Sequence, residues 1–177
     1  MNIKEAESAL QDIALLSASE DDGDIAVVVS CAGMNNYYTV CPSEFKDFLD
    51  NYEGLSYVAF DWVGIPDDLQ DEEIDFDGLL AWFNLDESQR EICECLYDNN
   101  VCMSYEDAAE KVDECNIFNG SEEEYAQEVV TELMGINLDD MPTIVSSNIN
   151  WGDVFIDLDA DGNIYKLEHD KFLTTQF

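Results

Sequence analysis

Carboxylates run the whole length of this chain with few positive charges among them, and any fold it adopts must leave them in water. The 177 residues hold 42 Asp and Glu against six Lys and Arg, a formal net charge of −36. Each successive block of thirty residues carries at least four acids, so the charge belongs to the body of the protein and not to an acidic tail. Nine Phe, eight Tyr and three Trp, within a chain that is 46% hydrophobic, supply the core that a disordered acidic chain lacks. Such a surface repels nucleic acid and anionic membrane and attracts basic proteins or divalent cations. At the charge spacing of duplex DNA, roughly 1.7 Å per charge, a charge of this size extends about 60 Å. A compact globule of this length is only about 40 Å across. Matching DNA therefore favours an elongated chain of small modules.

The order of hydrophobic periodicities predicts an α+β fold of that kind, with antiparallel strands at both ends and a helical middle. Ile3, Ala6, Leu10, Ile13 and Leu16 recur at helical spacing, which makes residues 1–22 a helical N-terminal extension, ending in the polar linker SASEDDGD. IAVVV, then NYYTV, then a helix opened by Pro42 and Ser43 and stopped by Gly54, then LSYVAFDWV, read as a small ββαβ domain over 23–66. From Asp67 the period changes to 3.6, and IDFDGLLAWF, SQREICECLYD and SYEDAAEKVDECN form a helical middle domain over 67–118. A mixed α/β domain occupies 119–177. Its helix SEEEYAQEVVTELMG buries Tyr125, Val129, Leu133 and Met134 and stops at Gly135, and a short helix comes after Pro142. Ser104 with Asp107, and Ser121 with Glu124, have capping-box spacing.

Few motifs carry chemistry. The amino terminus lacks the apolar core of a signal peptide, and no stretch is long enough for a membrane span, which points to the cytoplasm. Six cysteines without a C-x2-C pair, and a lone His169, read as reduced buried thiols and a surface histidine. No P-loop, dinucleotide fingerprint, G-x-S-x-G or H-E-x-x-H is present, so no cofactor is expected, while paired carboxylates among so many acids leave an acidic enzyme as a further alternative. One full pattern match remains, DLDADGNIYKLE, in which Asp157, Asp159, Asp161, the carbonyl of Asn163 and Glu168 would ligate calcium. Gly152, Val154 and Ile156 before it, and a short exit after it, suit a hairpin better than the helix pair such a loop needs, so the same residues also read as a turn between two strands.

The acids themselves are the remaining feature. A DNA mimic needs them on rigid elements, and Glu72, Glu73, Asp75, Asp77, Asp86, Glu87, Glu91, Glu94 and Asp98 meet that need. Glu106, Asp107, Glu110, Asp113, Glu122, Glu123, Glu124, Glu128 and Glu132 meet it as well. A salt-adapted surface and a calcium-binding module are the alternatives from other classes.

The order of YYTVCPSEFKDFLD, YVAFDWVGIPDDL with IDFDGLLAWFNL, and SEEEYAQEVVTELMGINLDDMPTIVSSNINWGDVFIDL resembles the ArdA antirestriction proteins of plasmids, transposons and phages. The resemblance covers about residue 25 onward. The chain departs from the family in its N-terminal extension, in a shortened first hairpin and in lacking an arginine before Asp157. The resemblance implies a three-domain homodimer, shaped like bent DNA, in the cytoplasm of a bacterial host. Its expected partner is a type I restriction-modification enzyme, whose DNA groove it would fill without chemistry. A CRISPR effector or a nucleoid protein is the alternative target.

Overall fold

The computed structural model describes residues 2–17, 25–160 and 162–176. The chain is an α+β protein with two three-stranded antiparallel sheets and a helical middle between them in sequence. Helix α1 spans Ile3–Ser17, and after it come strands β1 (Ala26–Cys31) and β2 (Tyr38–Val40), helix α2 (Pro42–Asn51) and strand β3 (Tyr57–Val63). These give a first sheet in the order β2-β1-β3. The expected ββαβ arrangement is therefore present. Pro42 opens α2 at a position where no amide is needed, and Gly54 (φ +83°) reverses the chain after it.

One face of the first sheet, carrying Val27, Val29, Cys31, Val40 and Ala59, is buried against the helices. Helix α1 packs on β2 and α2 and buries Ala6 and Leu10, so it is an integral layer of this core rather than an appendage. Its first turn also sits over the β1–β2 turn, where a Cβ on Gly33 (φ +85°) would lie 3.0 Å from Ile3 Cδ1. The linker expected between α1 and β1 lies outside the described residues, apart from Ser17 at the end of α1.

The middle of the chain forms α3 (Phe76–Phe83), α4 (Glu87–Asp98) and α5 (Tyr105–Lys111). Leu79, Trp82, Ile92, Cys93, Leu96, Tyr105 and Ala108 from these helices join the same core as the first sheet. The change of periodicity near Asp67 is thus a change of secondary structure and not a break in the core. Where the third helical segment was expected to run on to Asn116, the chain straightens into β4 (Cys115–Asn119).

After β4 come α6 (Glu122–Glu128), a π-helical turn (Val129–Leu133), the short α7 (Thr143–Ser146), α8 (Trp151–Asp159), β5 (Ile164–Glu168) and β6 (Lys171–Thr175). The π-turn adds a residue to the helical repeat and rotates the next side chains about the axis, so Met134 is exposed instead of completing the stripe of half-buried Tyr125 and buried Val129; the Leu133 side chain lies outside what the structure describes. Gly135 (φ +67°) stops the helix as expected. Helix α8 corrects the expectation of a strand before the calcium-like loop. Trp151, Val154, Phe155 and Leu158 form an i, i+3, i+4, i+7 stripe, and they pack with α6 and β6 in a second, smaller core.

The second sheet runs β4-β6-β5 and is covered on both faces. Leu173, paired with Ile117 and Tyr165, points into the main core, while its neighbour Phe172, paired with Phe118, points into the smaller one. Lys171 Nζ donates to Glu91 Oε1 at 2.6 Å and ties β6 to α4. The chain exposes 10705 Å², about a fifth more than the roughly 8,700 Å² of a compact protein of its mass.

Candidate functional site: carboxylates at the helix ends

Helix N-termini carry about half a positive elementary charge and orphan amides, so acids are tolerated there at high density. Nine of the eighteen acids expected to form the functional surface occupy such positions. Asp75 caps α3 and Asp77 lies in its first turn, and Asp86 and Glu87 do the same for α4. Glu106 and Asp107 open α5, and Glu122, Glu123 and Glu124 open α6. Ser121 and Glu124 form the full capping box that their spacing implies, with Ser121 N donating to Glu124 Oε2 at 2.8 Å. Those bonds hold the Glu124 carboxyl below its ordinary pKa. At Ser104 only half a box forms. Its hydroxyl accepts from the Asp107 amide at 3.2 Å, while the Asp107 side chain turns to Lys111 Nζ at 2.9 Å, the interaction that most lowers the Asp107 pKa. A second full box, Asp86 with Gln89, is one that sequence reasoning missed, although D-x-x-Q carries the signal.

Fifteen of the eighteen acids are solvent-exposed. The other three are half-buried and engaged. Glu91 pairs with Lys171, Glu94 Oε1 accepts from Trp82 Nε1 at 2.8 Å, and Asp107 pairs with Lys111. These three serve the fold first, so they are the weakest members of the expected surface.

Five of the six Lys and Arg side chains are engaged within the molecule, Lys111 and Lys171 as above. Lys46 pairs with Asp50 on α2 at 2.6 Å, and Lys166 lies 3.9 Å from Glu122. Arg90 stacks on Trp82 at 5.0 Å and donates to the carbonyls of Trp82 and Phe83, closing the negative end of α3. Glu106 and Glu110 stand one turn apart on the exposed side of α5, about 6 Å along the axis. With Asp77 they rim a shallow groove of about 370 Å³ between α3 and α5, over Phe76 and Leu80. A larger groove of about 610 Å³ between α1 and α2 is rimmed by Glu5, Glu44 and Asp47 over Phe48 and Tyr52. Both grooves suit positive side chains with aliphatic stems.

Neither groove holds a nucleophile beside a base. His169 is 93% exposed, with Nδ1 2.9 Å from Asp170. Among the described residues all six cysteines are free thiols, and only Cys41 is not buried. Burial raises Cys31, Cys95 and Cys115 to about 11 and Cys93 to about 12, which keeps them protonated and inert.

The calcium-like loop is not the turn of a hairpin. Asp157 and Asp159 lie in the last turn of α8, Gly162 (φ +73°) makes the reversal, and Glu168 ends β5; Asp161 lies outside the described residues. The β5–β6 turn falls instead at His169 and Asp170. The carbonyl of Asn163, the expected backbone ligand, accepts from the amide of Thr175 at 3.0 Å. Among the described residues no three His, Cys, Asp or Glu side chains converge on a metal-sized space. No helix among them is long and apolar enough to cross a membrane. No protein-family model matches the chain, and no curated protein resembles it at a significant level.

Proposed function

We propose that the protein is a DNA mimic, a non-enzymatic inhibitor that occupies the DNA groove of a basic DNA-binding enzyme, with type I restriction-modification enzymes as the target class. The observation that carries this reading is the fixed carboxylate surface of α3 to α6. Half of its acids sit at helix starts, most are exposed, and the few cations nearby are consumed by contacts within the fold. Mimicry needs carboxylates carried on rigid elements, and these helices carry them. The likeness in segment order to antirestriction proteins supplies the target class, and mobile genetic elements and the bacterial cytoplasm are the setting it implies.

Inhibition is then a matter of charge exchange. Carboxylates take the Lys and Arg contacts that phosphates would make, and the counterions around the acidic body are released on association. Taking over six to ten such contacts makes affinity fall about a thousand- to a hundred-thousand-fold between 50 and 200 mM salt. A homodimer completes the reading. The stretch from Met141 to Gly152 has no charged residue, and Ile144 and Val145 on it are exposed alongside Met134 and Ile136, so two like-charged copies can approach there.

The test is competition between this protein and labelled target duplex for a purified type I restriction-methylation enzyme, at several salt concentrations. Displacement at low salt that weakens steeply with added salt is expected. Failure of a large molar excess to displace the duplex at low salt would sink the proposed target. Running the same assay with a nucleoid protein and a CRISPR effector separates the two target classes.

A further inference from the structure

The second sheet is covered on both faces, but the first has one face open to water, and that face is poor in charge. Residues 25 to 43, which include β1 and β2, contain no charged side chain, and neither does the run from Gly54 to Phe60 that leads into β3. In a chain of net charge −36 this is the largest gap in the acid pattern. Tyr37, Val58, Phe60 and Val63 are 66%, 40%, 55% and 42% exposed there. Tyr37 and Phe60 meet edge to face at 4.9 Å.

A backbone irregularity creates this surface. The pairing of β1 with β3 slips between Val28 and Val29, so Val28 faces Asp61 while Val29 faces Ala59, and Phe60 is the extra residue. Ala59 and Trp62 point inward, whereas Phe60 and Asp61 both emerge on the open side. A bulge of this kind re-aims side chains and strengthens local twist. Beside it, Val58, Phe60 and Met34 line a concavity of about 270 Å³, enough for one apolar side chain.

Acids flank the patch on its β3 side. Asp61 borders it on β3, and the acidic segment Asp71 to Glu73 runs along the outer edge of that strand, where the Ala59 amide reaches the Glu72 carbonyl at 3.4 Å. An apolar patch with positive charge beside it complements both features, which a second copy of this acidic chain does not offer.

We propose that the open face of the first sheet, centred on Tyr37, Val58 and Phe60, is a protein-docking anchor for an apolar patch beside the basic DNA groove of the target. This rests on the mimicry reading and adds to it a contact that duplex DNA does not make. Carboxylates give fast, salt-sensitive association, and desolvated aromatic anchors give an affinity that salt does not remove. The inhibitor can then hold its target at ionic strengths where a purely electrostatic mimic would let go.

The experiment measures the affinity of the full-length protein for a purified type I restriction-methylation enzyme from 50 to 400 mM salt. It compares the parent with Phe60→Ser, Tyr37→Ser and Glu106→Gln/Glu110→Gln. The aromatic variants should bind about 10- to 100-fold more weakly at every salt concentration, with the slope of log affinity against log salt unchanged. The carboxamide variant should bind less steeply with salt, its slope falling by about 2. Val58→Thr serves as a milder variant of the same face, and parental circular dichroism in each confirms folding. Parental affinity in Phe60→Ser and Tyr37→Ser overturns the anchor and leaves the mimicry intact. Failure of the parent to bind at any salt concentration overturns both.

Discussion

Raising the pH from 8 to 10 should destabilise this protein by an amount that can be worked out from its buried thiols. Cys31, Cys93, Cys95 and Cys115 are at most 8% exposed. Burial lifts them from an ordinary 9.0 to about 11, 12, 11 and 11 respectively. A thiol held protonated in the folded state keeps its proton where the unfolded chain has already lost it. Its contribution is full below the unfolded pKa near 9 and is lost as pH climbs towards the folded value. At pH 10 about nine-tenths of each unfolded thiol is ionised, against about a tenth or less of each folded one. The change between pH 8 and 10 is then about 5 kcal/mol for the four thiols together, each supplying about a quarter. That is a large share of the roughly 5–15 kcal/mol that holds a domain together. Urea denaturation monitored by circular dichroism, with reductant and fixed salt, should give a much lower midpoint at pH 10. Cys93→Ala should remove about a quarter of what these four thiols contribute to the pH dependence while lowering stability at pH 8. Equal midpoints at the two pH values, or an unchanged dependence in Cys93→Ala, would refute the reasoning.

Leu173→Ala should cost about 2–5 kcal/mol, because its side chain is fully buried in the main core although it comes from a strand of the C-terminal sheet; a loss under about 1 kcal/mol in urea denaturation would mean the second sheet is not seated on that core. Calorimetry with millimolar calcium should give no binding heat in the parent, since among the described residues no three acidic side chains converge on a metal-sized space; a binding event abolished in Asp157→Asn/Glu168→Gln would restore the calcium reading. Light scattering at micromolar concentration should give a dimer mass, and Ile144→Asp should give a monomer with unchanged circular dichroism; a monomeric parent would count against the proposed pairing.

Local signals were legible and non-local ones were not. Pro42 and Gly54 marked the ends of α2, and Ser121 with Glu124 marked the start of α6, because caps and stops depend on a few neighbouring residues. Helix α8 was hidden by β-branched Val154 and Ile156, although the Trp151, Val154, Phe155, Leu158 stripe was present and fits period 3.6. The calcium-like pattern drew attention to the acids and away from that stripe. Strand β4 exists because β6 pairs with it from about sixty residues away, so nothing within Cys115–Asn119 could announce it. The exposure of Met134 depends on a π-turn that composition does not signal. For the candidate site, the sequence placed the acids on helices but could not tell which were already engaged. Glu91, Glu94 and Asp107 look like their neighbours until Lys171, Trp82 and Lys111 are seen beside them.

The order of strands in the second sheet bears on how the chain is made. A ribosome releases β4, then β5, then β6, yet β6 is the strand that lies between the other two. Until it emerges, β4 and β5 have no partner in that sheet, and the apolar side chains of α6 and α8 have only half of their shared core. The first sheet and the helical middle can begin to pack during synthesis, but their core too lacks Leu173 until that late strand arrives. The chain's acids, repelling one another and neighbouring nascent chains throughout that wait, give the unfinished protein a protection against aggregation.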